Sequence, residues 1–145
     1  MNSLAKILGA ATLCLVAASG GDARADRKMT CAMQGTWVDR NDGFFFNADY
    51  IEKNDPDTFN GVYSNPSAGA TANVNGYALK GTWSITFHYT DPKRQGVELD
   101  MTGTGSKDAK TQILTINGTY KATKNIEKLA KSSQGGKFKL VGKCK

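Results

Sequence analysis

The sequence predicts an all-β protein, an eight-stranded antiparallel up-and-down barrel with one short helical segment near the C-terminus. Three observations predict it: apolar and polar residues alternate with period two, turn residues separate the alternating segments, and a Gly-Thr-aromatic motif recurs. The chain has 145 residues, of which 39% are hydrophobic. That length fits one domain and excludes a doubly wound nucleotide-binding enzyme with a separate substrate domain.

Four segments show the alternation most clearly. In residues 82–90 one face is aromatic or aliphatic, and the other is threonine, serine and histidine. The same alternation marks residues 96–103, residues 111–121 and a final strand that includes residues 137–140. Because side chains on a strand point alternately to opposite faces, each of these segments predicts a strand with one buried face.

Weaker signals complete the count of eight. Further strands are predicted at residues 32–38, 43–51, 58–64 and 71–78. Turns are predicted at Asp42-Gly43, Asn75-Gly76, Asp91-Pro92 and Gly135-Gly136. Residues 65–75 are rich in Ala, Gly, Ser and Asn and predict a mobile loop at the mouth of the barrel. Residues 124–131 are the one helical candidate, because Ile126, Leu129 and Ala130 form an apolar stripe there.

Eight antiparallel strands with one apolar face have two stable arrangements, a sandwich and a closed barrel. Glycine inside a strand marks a tight bend or a close backbone approach, and small barrels need both. The glycine motif therefore favours closure. It occurs as Gly35-Thr36-Trp37, Gly81-Thr82-Trp83 and Gly118-Thr119-Tyr120, with Gly61-Val62-Tyr63 as a variant.

Residues 1–25 have the three parts of a bacterial export signal. Lys6 gives a positive start, residues 7–18 are apolar, and Ala23-Arg24-Ala25 is a small-x-small cleavage site. The apolar stretch is shorter than the roughly 20 residues that a membrane-spanning helix needs. We therefore expect a periplasmic or secreted protein that does not span the membrane, with a single mature domain at residues 26–145.

Export also predicts how the cysteines pair. Cys14 leaves with the signal, and Cys31 and Cys144 remain as an even pair in an oxidising compartment. We expect them to form one structural disulfide that ties the start of the first strand to the end of the last.

The opening motif at residues 31–37 resembles the start of the calycin superfamily, in which lipocalins and avidins begin the first barrel strand with Gly-x-Trp. Two later segments, Gly61-Val62-Tyr63 and residues 81–87, lie where avidins have a Gly-x-Tyr strand and an aromatic-rich strand. This resemblance implies a barrel in which Tyr63, Trp83 and Ile85 face the ligand. The chain departs from avidins in the late strands, which lack tryptophan, so the resemblance implies barrel shape rather than biotin specificity.

The first functional hypothesis is a non-enzymatic barrel that holds a small apolar or aromatic ligand. The ligand-binding residues that we predict are the inward-facing aromatics and one methionine: Trp37, Tyr63, Trp83, Phe87, Tyr89, Met101 and Tyr120. An eight-stranded interior either holds one small ligand or is filled by its own side chains. Both states remain open at this point.

The alternative hypothesis is an exported interaction protein or inhibitor that binds an acidic partner. Residues 26–106 carry 7 basic and 10 acidic side chains, whereas residues 107–145 carry 10 lysines and only Asp108 and Glu127. A lysine face is predicted at Lys124, Lys128, Lys131, Lys137 and Lys139. Nucleic acid is not expected, because aromatic residues are not interleaved with these lysines.

Catalytic and metal chemistry have few residues to use. His88 is the one histidine, so neither a Ser-His-Asp system nor a classical zinc site has its ligands. Residues 55–61 superficially suggest calcium binding, but Phe59 occupies a ligand position of the EF-hand template. We predict no catalytic residue, metal or cofactor, although a barrel cyclase or isomerase that acts with few polar groups stays open.

Overall fold

The computed structural model describes residues 27–53 and 56–145 and forms a closed eight-stranded antiparallel barrel. The predicted export signal lies outside the described residues. The fold class is confirmed, and all eight predicted strands are present. Their bounds are β1 Arg27–Trp37, β2 Asp42–Glu52, β3 Asp57–Asn65, β4 Ala70–Leu79, β5 Thr82–Tyr89, β6 Glu98–Lys107, β7 Ile113–Lys124 and β8 Gly135–Cys144.

Each strand pairs with its neighbours in the sequence, and β1 pairs with β8 to close the sheet. The connections therefore alternate between the two ends of the barrel. We call the end with the β1–β2, β3–β4, β5–β6 and β7–β8 connections the upper end. The opposite end, which holds the other three connections, is the lower end.

Four sequence predictions about loops and turns are wrong. Asp42-Gly43 and Gly135-Gly136 are the first residues of β2 and β8 rather than turns. The loop predicted at residues 65–75 is much shorter, because β4 begins at Ala70. Asn75-Gly76 lies inside β4, where Gly76 faces the core and a β-carbon would lie 2.5 Å from the Phe59 ring. The glycine is needed there by an aromatic ring and not by a turn. The β4–β5 turn is made instead by Lys80 and Gly81, both with positive φ.

The predicted helical segment at residues 124–131 forms two 3-10 turns, Ile126–Lys128 and Lys131–Ser133, and no α-helix. Leu129 is extended, with φ of −110° and ψ of 145°, and Ala130 has a ψ of 146°, so the helical conformation ends after one turn. The helical segment would have placed Lys124, Lys128 and Lys131 on one face. Without it, these three lysines do not share a helical face.

The alternating faces of the strands pack a single core. Aromatic rings from β1, β2, β3, β5 and β7 meet inside the barrel with centroid separations of 4.3–6.3 Å. The largest side chains that are fully buried are Trp83, Tyr50, Phe46, Phe59, Phe87 and Phe138. Gly118, one of the glycines of the Gly-Thr-aromatic motif, allows β7 and β6 to approach closely. A β-carbon at this position would overlap the carbonyl oxygen of Thr102 on β6.

The predicted disulfide is present. Cys31 and Cys144 are directly opposite in the β1–β8 pairing, and the bond joins residues 113 apart in the sequence. Beyond it, Thr30 and Lys145 exchange two backbone hydrogen bonds of 3.0 and 2.9 Å. The covalent link thus lies in the seam where the first and last strands close the barrel. A disulfide is consistent with an oxidising compartment.

Replacing both cysteines, as Cys31→Ala with Cys144→Ala, is expected to lower the free energy of unfolding by about 4 kcal/mol, because the bond restricts a long loop in the unfolded chain. Urea unfolding followed by tryptophan fluorescence measures this change. Reducing the native protein is the control and should give a similar loss. A loss below about 1 kcal/mol would show that strand pairing alone holds the seam.

Candidate ligand-binding site

A small recess opens at the upper end of the barrel, above the packed core. Its volume is about 120 Å³. Aromatic, aliphatic and cationic side chains line it, and we define the upper recess by Trp37, Arg40, Tyr63, Tyr89 and Arg94. Leu99 and Leu129 add apolar surface.

Stacked rings form the floor of the upper recess. Trp37 ends β1, and its ring stacks on Phe44 with the centroids 4.3 Å apart. Tyr63 ends the inward face of β3 and lies 5.8 Å from the Phe87 ring and 6.3 Å from the Phe44 ring. Because these rings hold one another in place, the floor is rigid before any ligand arrives.

Arg40 covers one side of the recess. It ends the 3-10 turn Val38–Arg40, in which residues three apart lie above one another, so its guanidinium returns over Trp37. The Cζ atom lies 5.3 Å from the centre of the Trp37 ring, a cation-π contact. Arg40 Nη1 donates to Ser133 Oγ at 2.9 Å, whereas Nε is buried with no hydrogen-bond partner. No carboxylate pairs with Arg40 among the described residues.

Arg94 lies across the recess and is held differently. Its Nη1 atom lies 3.0 Å from Oδ2 of Asp91, a carboxylate that is almost fully buried. Asp91 Oδ1 accepts a hydrogen bond from the Thr71 backbone N–H at 3.2 Å, which ties the β5–β6 connection to the start of β4. The charge of Arg94 is thus neutralised within the protein, and Arg40 is the cation that remains free of a counter-ion in the recess.

Tyr89 supplies a hydroxyl group that stays protonated. Burial, together with the nearby Tyr63 and Asp91 side chains, raises the pKa of Tyr89 to about 12, although Arg94 and Arg40 act in the opposite direction. The phenol therefore remains neutral at any physiological pH and can donate a hydrogen bond. Asp42 lies at the rim, where its Oδ1 atom accepts a hydrogen bond from the backbone N–H of Gly43 at 2.9 Å.

The lower end has a second recess, of about 310 Å³, with charged walls. Lys107 has its side chain only 4% exposed, and its Nζ atom lies 3.4 Å from Glu52 Oε1 and 2.9 Å from Gln112 Oε1. The Tyr50 hydroxyl donates to Asp57, and burial raises the pKa of Tyr50. These polar groups satisfy one another, whereas Lys80, which also lines the lower recess, has no side-chain partner among the described residues.

The seven predicted ligand-binding residues do not surround one cavity. Trp37, Tyr63 and Tyr89 line the upper recess, and Trp83 lines the lower one. The other three pack in the barrel between or behind these sites: Phe87, Met101 and Tyr120. Arg40 and Arg94 also line the upper recess and were not predicted from the sequence. Arg40 had a local signal, its position three residues after Trp37 and just before a turn, but Arg94 had none.

The predicted lysine face is divided by the fold. Lys137 and Lys139 lie on the outer face of β8 and have no side-chain partner in the described part of the chain. Lys124 pairs with Glu98 at 3.1 Å, and Lys128 Nζ donates to the Gln95 carbonyl at 2.7 Å. Lys131 begins the second 3-10 turn. Only the β8 lysines therefore form a free cationic stripe.

The described residues contain neither a cluster of metal ligands nor a membrane-spanning helix. Over residues 27–53 and 56–145, no three His, Cys, Asp or Glu side chains are grouped so that they could hold a metal ion. His88 lies on the outer surface, with Nδ1 3.0 Å from Glu98 Oε1. No helix in these two ranges is long and apolar enough to cross a membrane.

Comparison with known protein families, curated proteins and solved structures found no match to this chain.

Proposed function

We propose that this protein is an exported, non-enzymatic binding protein whose barrel takes a small aromatic ligand in the upper recess. The observation that carries the proposal is the meeting of Trp37, Tyr63 and Tyr89, three of the predicted ligand-binding residues, around the recess that also holds Arg40. The volume of about 120 Å³ is close to the roughly 150 Å³ of an apolar cavity that accepts benzene. This size limits the ligand to a single ring.

The cation of the recess favours a ligand with a carboxylate. Among the described residues no acidic side chain neutralises the guanidinium of Arg40, whose Nη1 atom donates to Ser133 Oγ. A ring on the aromatic floor with its carboxylate toward Arg40 would use both features, and charge-assisted hydrogen bonds are stronger than neutral ones. Binding is favoured over catalysis because no histidine or cysteine lines the recess and Tyr89 does not ionise near neutral pH.

Export rests on the predicted signal at residues 1–25, and the Cys31–Cys144 disulfide supports an oxidising destination. The resemblance of residues 31–37 to the first strand of calycins supports the barrel shape alone. A periplasmic or secreted carrier of a small aromatic acid is the role that these features favour.

Benzoate and benzyl alcohol are matched ligands for testing this proposal by isothermal titration calorimetry. Benzoate is expected to bind more tightly, and Arg40→Met is expected to weaken benzoate by about tenfold or more while changing benzyl alcohol by less than about twofold. Methionine keeps an apolar contact with Trp37 and removes the charge together with the hydrogen bond to Ser133, and benzyl alcohol reports any effect of losing that hydrogen bond.

Lys28→Met is the control, because it removes one positive charge from an exposed site near the lower end. If neither ligand binds at about 10 mM, which corresponds to weaker than millimolar affinity, the proposed function is wrong. If both ligands bind equally well and Arg40→Met affects neither, aromatic binding stands and the carboxylate assignment is wrong.

The free lysine stripe on β8 supports the alternative function, capture of an anionic surface or acidic protein. Lys137, Lys139 and Lys143 alternate on the outer face, and Lys121 adds a fourth cation on β7. Repulsion between these like charges is relieved when an anionic surface docks on them, and salt screens that attraction.

Retention on immobilised dextran sulfate tests the alternative. The double variant Lys137→Gln with Lys139→Gln is expected to elute at clearly lower salt than the native protein. The control Lys28→Gln with Lys93→Gln has the same net charge and should elute later than this variant. Equal elution of the two variants would mean that net charge, and not the β8 stripe, governs retention.

A further inference from the structure

Four asparagines cover the outer surface of β2, β3 and β4, and we call them the asparagine face: Asn47, Asn60, Asn73 and Asn75. All four are exposed. The strand register arranges them in two neighbouring rows. In one row Asn47, Val62 and Asn73 are successive cross-strand partners, and in the next row Asn60 is directly opposite Asn75. Side chains at such positions are about 5 Å apart across the strands and about 7 Å apart along them.

The requirements of folding do not explain the asparagine face. Asparagine is depleted in strands, where β-branched and aromatic residues fit better. The outer surface of the neighbouring β5 and β6 follows that preference, with threonine at residues 82, 86, 102 and 104. None of the four asparagine amides makes a side-chain hydrogen bond within the described ranges. Residues that break a local rule without a structural gain mark functional sites.

The charge of this surface limits what it can bind. The outward positions of β2, β3 and β4 contain no lysine or arginine, and Asp49 is the one charged residue among them. The outer face of β7 and β8 instead holds Lys121, Lys137, Lys139 and Lys143. An anionic ligand would therefore be attracted to the lysine stripe, and the asparagine face suits a neutral ligand rich in hydrogen-bonding groups.

The shape and the apolar parts of the face narrow the choice further. A shallow hollow of about 660 Å³ runs over the asparagines, and Val62 near its centre is 64% exposed. Phe45 and Tyr77, about half exposed, lie two residues from Asn47 and Asn75 at opposite corners of the face. A pyranose ring has hydroxyls round its edge and C–H groups on its faces, so amides beside exposed apolar side chains complement it. Each amide offers both donors and an acceptor.

We propose that the asparagine face binds a neutral oligosaccharide. Sugar hydroxyls exchange hydrogen bonds with the side-chain amides of Asn47, Asn60, Asn73 and Asn75, and one sugar ring lies on Val62. This site is separate from the upper recess, because it lies on the outer wall of the barrel, and the proposal does not depend on a ligand in that recess.

Nuclear magnetic resonance of the ¹⁵N-labelled mature chain tests the proposal, because each asparagine side chain has its own pair of amide signals. Cellopentaose, maltopentaose and N-acetylated chitopentaose serve as the neutral ligands, each titrated to about 10 mM, a range suited to millimolar affinity. At least one of them is expected to shift the side-chain signals of the four asparagines in a saturable way.

The double variant Asn60→Thr with Asn75→Thr is expected to weaken that binding by about tenfold or more and to raise the melting temperature, since threonine fits a strand better. Asn117→Thr, on the outer face of β7, is the matched control and should leave the binding unchanged. The proposal is overturned if none of the three sugars shifts these signals, or if the double variant binds as the native protein does.

Discussion

The pairing of β1 with β8 is the constraint on which the rest of the structure depends. Seven residue pairs from Cys31–Cys144 to Trp37–Phe138 close the sheet on itself, so neither terminal strand is left as an open edge. Closure turns one face of every strand inward, which buries the alternating apolar residues in one core. It also brings Trp37 beside the β7–β8 connection, where Ser133 holds Arg40 over the indole.

The side chains of the core fill the centre of the barrel and leave no room for a ligand there. An eight-stranded barrel is just wide enough for side chains to fill, and here Phe44, Phe46, Phe59 and Phe87 contact one another or their aromatic neighbours through its middle. The two ends and the outer wall are then the surfaces where ligand chemistry is available. The upper recess has a free cation beside aromatic rings, and the asparagine face has free amides on a wall where Asp49 is the one charged residue.

Much of the fold could be predicted from the sequence because strand alternation reports directly which face is buried. Trp83, Ile85 and Phe87 were placed together on that basis, and they are buried together. The prediction of a turn at Asn75-Gly76 was wrong because a glycine can either form a turn or leave space for a neighbouring side chain. Gly76 leaves space for the Phe59 ring, and the local sequence does not distinguish the two cases. The helical prediction was wrong because Leu129 and Ala130 leave the helical conformation and divide the segment into two short 3-10 turns.

The site was less predictable than the fold because its polar groups depend on three-dimensional contacts. Arg94 is held at the recess by an ion pair with the buried carboxylate of Asp91. Asp91 in turn accepts a hydrogen bond from the Thr71 backbone N–H at the start of β4. The asparagine rows appear only when the register of three strands is known. Neither the contact of Arg94 with Asp91 nor the alignment of the asparagines can be predicted from residue spacing along the chain. The inward-facing aromatic residues, by contrast, are predicted by the period-two alternation alone.

The central claim is that a small aromatic acid binds at the upper end, beyond the filled centre of the barrel. Intermolecular nuclear Overhauser effects between the ring protons of benzoate and the protein test it most directly. Contacts with the Trp37 indole and the Tyr89 ring are the predicted result. Contacts confined to Trp83 at the lower end would contradict the claim, as would an absence of intermolecular contacts at saturating benzoate.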